Sequence, residues 1–368
     1  MPNVPLLDLH REYAPIRQEV IDAITRVVDS TQFIMGPDIA KMEAEMAAYC
    51  GTKFAYGLSS GTDALLLALM ALGIGHGDEV ITSPFTFFAT AGCIARVGAK
   101  AVFVDIDADT FNIDTSQIEA AITSKTKAIM PVHLFGQMAD MEAIMDIAER
   151  YSLHVIEDAA QAIGAKAPYR GEMRSAGSIG TVGCFSFFPS KNLGCCGDGG
   201  LVTTQNPEVA SQLEIMRVHG GKQRYYHDVV GGNFRMDSIQ AAVLRVKLPH
   251  LDRHHQARKE NAKVYNQALK NLLKIPVVKP GYDMIYNQYT LQVPSREAVI
   301  QKLNDAGIGY GIYYPLPLHL QTCFESWGYQ KGDFPNAEKA AESVVSIPIF
   351  SGLTPEELDQ VVKVLQTV

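Results

Sequence analysis

The sequence predicts an α/β protein: a three-layer α/β/α large domain built on a mostly parallel sheet, followed by a smaller C-terminal α+β domain. Three observations predict it. Short β-rich runs alternate with helical patterns from about residue 53 to residue 204, and that alternation makes a parallel sheet covered on both faces. After Pro276 and Pro280 the texture changes to mixed strand and helix. The length, 368 residues, exceeds one typical domain and suggests two. The expected division is residues 1–250 and 251–368.

Taken in order, residues 11–30 carry helical spacing, with Ile16, Val20, Ile21, Ile24, Val27 and Val28 on one stripe. Residues 38–50 repeat the pattern after the break at Gly36-Pro37. Strands are expected at 53–57, 79–83, 101–104, 127–132, 153–156, 183–187 and 200–204. Helices are expected between most of them, at 62–72, 88–97, 115–123 and 140–151. The run 235–270 reads as one or two long helices, broken near Pro249. The C-terminal part then gives a strand at 290–293, a helix at 295–306, a strand at 308–314 and a closing helix at 354–367.

Composition excludes several classes of function. Hydrophobic residues make up 47% and charged residues 20%, an ordinary globular balance. A net charge of −8 argues against nucleic acid or an anionic membrane surface as partner. No apolar run is long enough to span a bilayer, and the start, MPNVPLLDLHRE, has no basic segment followed by an apolar one. Cys50, Cys93, Cys184, Cys195, Cys196 and Cys323 form no CxxC pair and read as thiols in a reducing cytoplasm. The adjacent Cys195 and Cys196 read as packing residues. His250, His254 and His255 share a helical stretch without a carboxylate set to complete a metal site, so no metal is expected.

In open α/β sheets ligands sit beyond the carboxyl ends of the strands, so the residues after each strand carry the functional signal. Ser59-Ser60-Gly61-Thr62-Asp63 opens an apolar helix; its free amides suit a phosphate, and an ordinary helix cap explains the same residues. Glu157 and Asp158 end a strand, with Gln161 three residues on. One of these carboxylates could pair with a protonated ring nitrogen, or cap the next turn. Lys191 leaves the run 184–188 and enters a glycine-rich stretch ending in Gly197-Asp198-Gly199-Gly200. Desolvation beside apolar groups makes a lysine a better amine nucleophile; a solvated loop lysine is the plain alternative. Gly231-Gly232-Asn233-Phe234-Arg235 opens another helix with groups suited to an anion, or forms a solvated loop. There is no Walker loop, no full GxGxxG after a strand and no GxSxG elbow.

These segments occur in a known order: GTDAL (61–65), GDEVITSPFTFFAT (77–90), VHLFGQMADM (132–141), VIEDAAQAIGA (155–165), CFSFFPSKNLG (184–194), GDGG (197–200), GGNFRMDSIQAA (231–242) and YYPLPLH (313–319). Together they resemble the DegT/DnrJ/EryC1/StrS family of pyridoxal-phosphate sugar aminotransferases, which have the aspartate-aminotransferase fold, fold type I. The resemblance spans nearly the whole chain. It implies that Lys191 forms the Schiff base with pyridoxal 5'-phosphate and shuttles the proton, and that Asp158 partners the pyridinium nitrogen. It gives Gln161 the phenolic oxygen, Gly61, Thr62 and Ser186 the phosphate, and Phe87 the ring face. It places Asn233 on the phosphate of the neighbouring subunit, which implies a homodimer with composite sites. Arg235, Tyr313 and His319 would lie near the substrate, although Tyr313 stands where many relatives carry histidine. Relatives with histidine at the lysine position catalyse a dehydration instead.

The resemblance leans toward enzymes that aminate C3 of a keto-sugar nucleotide, closest in look to UDP-linked 3-keto-uronic acid aminotransferases of O-antigen and lipopolysaccharide synthesis, with L-glutamate as amino donor. The alternatives are a C4 keto-sugar or a cyclitol as acceptor on the same scaffold, or a regulatory protein that binds the cofactor without turnover.

Overall fold

The structure, a computed structural model, describes residues 4–368. Three helices come first: α1 (Leu9–Tyr13), α2 (Arg17–Ser30) and α3 (Pro37–Cys50). The chain then alternates: β1 (Phe54–Leu58), α4 (Gly61–Ala71), β2 (Glu79–Thr82), α5 (Ala89–Arg96), β3 (Lys100–Phe103), β4 (Thr126–Ile129), α6 (Met141–Tyr151) and β5 (His154–Asp158). A hairpin of β6 (Lys166–Tyr169) and β7 (Glu172–Ser175) precedes β8 (Val182–Ser186), β9 (Gly200–Thr204) and α7 (Pro207–Met216). Next come α8 (Ser238–Lys247) and α9 (Leu251–Leu269), separated by a short 3-10 turn containing Pro249. The C-terminal part holds β10 (Tyr289–Gln292), α10 (Arg296–Asp305), α11 (Pro335–Ser343), β11 (Val344–Ile347) and α12 (Pro355–Leu365).

Seven strands form one sheet in the order β1-β9-β8-β5-β4-β2-β3. The pairs from β8 through β3 are parallel, while β9 runs antiparallel to both β1 and β8. Six strands therefore point one way and β9 alone is reversed. Period-two alternation sends successive side chains to opposite faces. Val80, Ala128, Ile156, Cys184 and Val202 enter one apolar cluster with α4 and α5. Their neighbours Ile81, Ile129, Val155, Phe185 and Leu201 enter another with α3, α6 and α8. Helices thus cover both faces. The first cluster continues through Ala262, Tyr265, Leu291, Val345 and Val361, so the C-terminal part packs on that face. There β10 and β11 make a separate antiparallel pair.

Three expectations differ from the structure. Residues 115–123 form two short 3-10 turns rather than a helix, because Asp114 accepts from the amide and hydroxyl of Ser116 and competes with helical bonding. Residues 308–314 make only isolated bridges, Val4 with Ile308 and Gly311 with Ser346. The strand partner of β10 is instead β11, which the sequence reading passed over. Among the described residues, no helix is long and apolar enough to cross a membrane.

Candidate active site

A cavity of about 510 Å³ opens at the carboxyl ends of the parallel strands. Its walls include Gly61 and Thr62 after β1, Phe87 after β2, Asp158 at the end of β5 with Gln161 beyond it, Ser186 at the end of β8 with Lys191 beyond it, and Tyr313 and Tyr314 from the C-terminal part. The chain order that scatters these residues is the topology that gathers them.

The floor is carried by β5. Glu157 and Asp158 are adjacent, so the strand turns them to opposite faces. Glu157 points away from the cavity and is fully buried. It accepts from His133 Nε2 at 2.8 Å and from the amides of Gly177, Ile179 and Gly180 at 2.6–2.8 Å. Burial pushes this carboxyl up, but the His133 hydrogen bond and the converging amides outweigh it and hold it below its ordinary value. Asp158 points into the cavity. It accepts from Thr90 Oγ1 at 2.8 Å and from the amide of Ala160 at 3.2 Å. With so few donors, burial wins and its carboxyl is raised, opposed by Thr90, the Ala160 amide and the charge of Lys191. A buried carboxyl so placed is stabilised as the anion by a further cation close to it.

Lys191 follows β8 in a turn closed by its own amide on Phe188 O at 2.8 Å. Burial lowers its amine from 10.5 to about 8, partly opposed by Asp158. At pH 7 this raises the fraction of free amine about 300-fold over an ordinary lysine. At the other end α4 is capped by Ser60, whose hydroxyl accepts from the amide of Asp63 at 3.0 Å. The first amides of that helix face the cavity with the positive end of its dipole. A Cβ on Gly61 would lie 2.6 Å from Ser186 Cβ, so glycine is needed for β8 to approach the helix start. Gln161 is fixed by accepting from Phe135 N at 2.7 Å and donating to Tyr314 Oη at 3.1 Å. Phe87 is 58% exposed on the rim, 6.2 Å from the Tyr314 ring.

The sequence that builds this cavity matches a known family over residues 15–366. The chain belongs to the DegT/DnrJ/EryC1/StrS aminotransferase family. It is a pyridoxal-phosphate-dependent aminotransferase. A relative from Geobacillus stearothermophilus named "Pleiotropic regulatory protein" is 51% identical over 98% of this chain and 97% of that one. A UDP-N-acetyl-3-dehydro-alpha-D-glucosamine 3-aminotransferase of Acidithiobacillus ferrooxidans is 45% identical over 99% and 97%. The crystal structure of DesV from S. venezuelae, in complex with a ketimine intermediate, superposes with a TM-score of 0.96 at 42% identity, covering 100% of this chain and 98% of that one.

The residues present fit the cofactor of this aminotransferase. The helix start with Gly61, Thr62 and Ser186 suits a phosphate; Asp158 lacks the cation that a protonated ring nitrogen would be; Lys191 offers an amine. Two sequence-derived residues lie elsewhere in the chain's own fold. Asn233 and Arg235 line a second cavity of about 530 Å³ that shares Ser60 and Asp198 with the first, and Arg235 Nε is buried without a partner among the described residues. His319 is not among the residues that line the cavity. Its ring is bonded through Nε2 to Glu338 at 3.0 Å and packed edge-on against Phe334. Sequence reasoning missed Tyr314, Asn287 and Gln288, which line the cavity. The pair Tyr313-Tyr314 was the one available signal for the first of these.

Proposed function

We propose that this aminotransferase moves an amino group from L-glutamate to C3 of a nucleotide-linked keto-sugar, in the synthesis of an amino sugar for a surface glycan. The observation that carries the reading is the Lys191 amine, lowered to about 8, in one cavity with the buried Asp158 and the Gly61–Ser186 cradle. The 3-amination of a UDP-sugar named for the 45% relative supports the acceptor class.

When bound, pyridoxal phosphate supplies an aldehyde for an amine to condense with and a cationic ring that draws electrons from the reacting carbon. Gly61 and Thr62 amides with the Ser186 hydroxyl hold the phosphate. Asp158, kept anionic by that ring charge, holds the proton on the ring nitrogen, and Thr90 orients Asp158. Gln161 Nε2 turns from Tyr314 to the phenolic oxygen. Phe87 covers one ring face and excludes water. With the cofactor held there, Lys191 Nζ would be the base that takes the proton from the substrate carbon and the acid that delivers it to the cofactor's reacting carbon. Tyr313 lines the acceptor side. Asn233 and Arg235, in the neighbouring cavity, complete the site of a second copy across a homodimer. The six free cysteines support a cytoplasmic location.

The test is a spectrum of the purified protein with pyridoxal phosphate. The visible band of lysine-bound cofactor should form, vanish on adding glutamate, and return on adding a 3-keto-sugar nucleotide. A band that glutamate leaves unchanged refutes the donor, and no band refutes Lys191.

A further inference from the structure

We propose that the buried amide pair Asn192–Asn287 is a positioning device that fixes the Lys191 amine relative to Asp158 and Gln161, with Arg258 clamping it from behind. The proposal rests on the reading of Lys191 given above.

The Lys191 side chain is long, flexible and without a hydrogen-bond partner for its amine among the described residues, so its aim depends on the backbone that presents it. The next residue, Asn192, is 5% exposed. Its Oδ1 accepts from Asn287 Nδ2 at 2.7 Å, and its Nδ2 donates to Ile285 O at 3.3 Å. Both bonds reach residues 284–288, a strap between α9 and β10. The same strap is bonded to the loop after β4: Ile285 N donates to Gly136 O and Asn287 N to Phe135 O, each at 3.0 Å. Phe135 N in turn donates to Gln161 Oε1 at 2.7 Å. One strap therefore registers the lysine loop against the glutamine that faces the same cavity.

The contact leaves no slack. Gly136 has φ +95°, and a Cβ there would lie 2.9 Å from Asn287 N. Tyr286 takes a left-handed φ of +50°, which swings consecutive carbonyls toward α9. Arg258, 3% exposed on that helix, donates from one terminal nitrogen to Tyr286 O at 3.2 Å and Asn287 O at 3.5 Å. Its other terminal nitrogen faces Glu12 at 3.6 Å, the ion-pair partner of this buried guanidinium. Removing the clamp or either amide frees the strap, and misplacement of a reacting group by an ångström costs on the order of 100-fold in rate.

The experiment reads Lys191 in the cofactor-free protein, by reductive methylation with formaldehyde and peptide mass spectrometry across neutral to alkaline pH, beside steady-state kinetics. Asn192→Ala and Asn287→Ala should each move the Lys191 profile toward that of a solvent lysine. Each should lower kcat by on the order of 100-fold with little change in KM for the donor. The double variant should be no worse than the more damaging single one, since the two residues act as one unit. Arg258→Lys should retain most of the activity that Arg258→Met loses. A Lys191 profile unshifted in both single variants, or losses that multiply in the double variant, would overturn the proposal. If Asn287→Ala does not fold, Asn192→Ala alone still decides by the profile. Failure of wild-type Lys191 to be trapped by pyridoxal phosphate and borohydride would instead refute the role of the lysine itself.

Discussion

Glu157→Gln tests whether two neighbouring carboxylates have been divided correctly between stability and chemistry. Glu157 accepts four hydrogen bonds, two on each oxygen: Ile179 N and Gly180 N on Oε1, His133 Nε2 and Gly177 N on Oε2. Glutamine keeps one acceptor oxygen and turns the other into a donor that faces two donors. His133 cannot adapt by exchanging tautomers, because its Nδ1 already accepts from Ala139 N at 3.1 Å. Two charge-assisted bonds are lost, about 3 to 6 kcal/mol at the usual worth of such bonds. With the usual unfolding entropy per residue, this chain length converts that loss into a drop of about 4 to 8 °C in Tm. The assay is thermal unfolding of the cofactor-free protein, with kcat measured well below the transition. The folded carboxyl lies below its unfolded value, so its contribution is present above the ordinary glutamate pKa and fades as pH falls through the folded one. The Tm gap between wild type and variant should therefore be full at neutral pH and close on acidification. An unchanged Tm at neutral pH, or a collapse of kcat at full stability, would refute the assignment.

The complementary change, Asp158→Asn, should lower turnover by at least 100-fold while cofactor affinity falls far less, as read by activity and by spectral titration; equal losses in both would contradict the ring-charge role. Gly61→Ala places a methyl 2.6 Å from Ser186 Cβ and should weaken cofactor binding by roughly 10- to 100-fold, about 1–3 kcal/mol of overpacking at the cradle; titration with pyridoxal phosphate checks it, and unaltered affinity would show that the helix start holds no phosphate. The amine of Lys191, lowered to about 8, should react with pyridoxal phosphate at a rate that levels off above about pH 8, whereas a solvent lysine gains reactivity up to about pH 10.4. A rate that keeps climbing would mean that the amine is solvated.

Much of the sheet was legible because most of its strands are short apolar runs separated by helical patterns. The reversal of β9 was not. All five of its residues are buried, and a strand covered on both faces has the same continuous apolar pattern in either direction. The β6–β7 hairpin was missed for a local reason: its two-residue turn, Arg170-Gly171, holds both residues at positive φ, +49° and +83°, a turn usually announced by Asn-Gly or Asp-Gly. The pairing of His319 with Glu338 was not legible, because Glu338 lies 19 positions on, in α11, and no periodicity links a 3-10 turn to a helix that far away.

Glu157 and Asp158 show where sequence stops and fold begins. The chemical difference between them is one methylene, and either could be assigned to a cofactor from the residue type. The strand decides by aiming them apart, and the surroundings then push them in opposite directions. Three amides and a histidine converge on Glu157 and hold it as an anion that needs nothing more. One hydroxyl and one amide leave Asp158 raised by burial. The carboxylate with the poorer native environment is the one with free energy to gain from a cation, and for that reason the weaker network, not the stronger, marks the site.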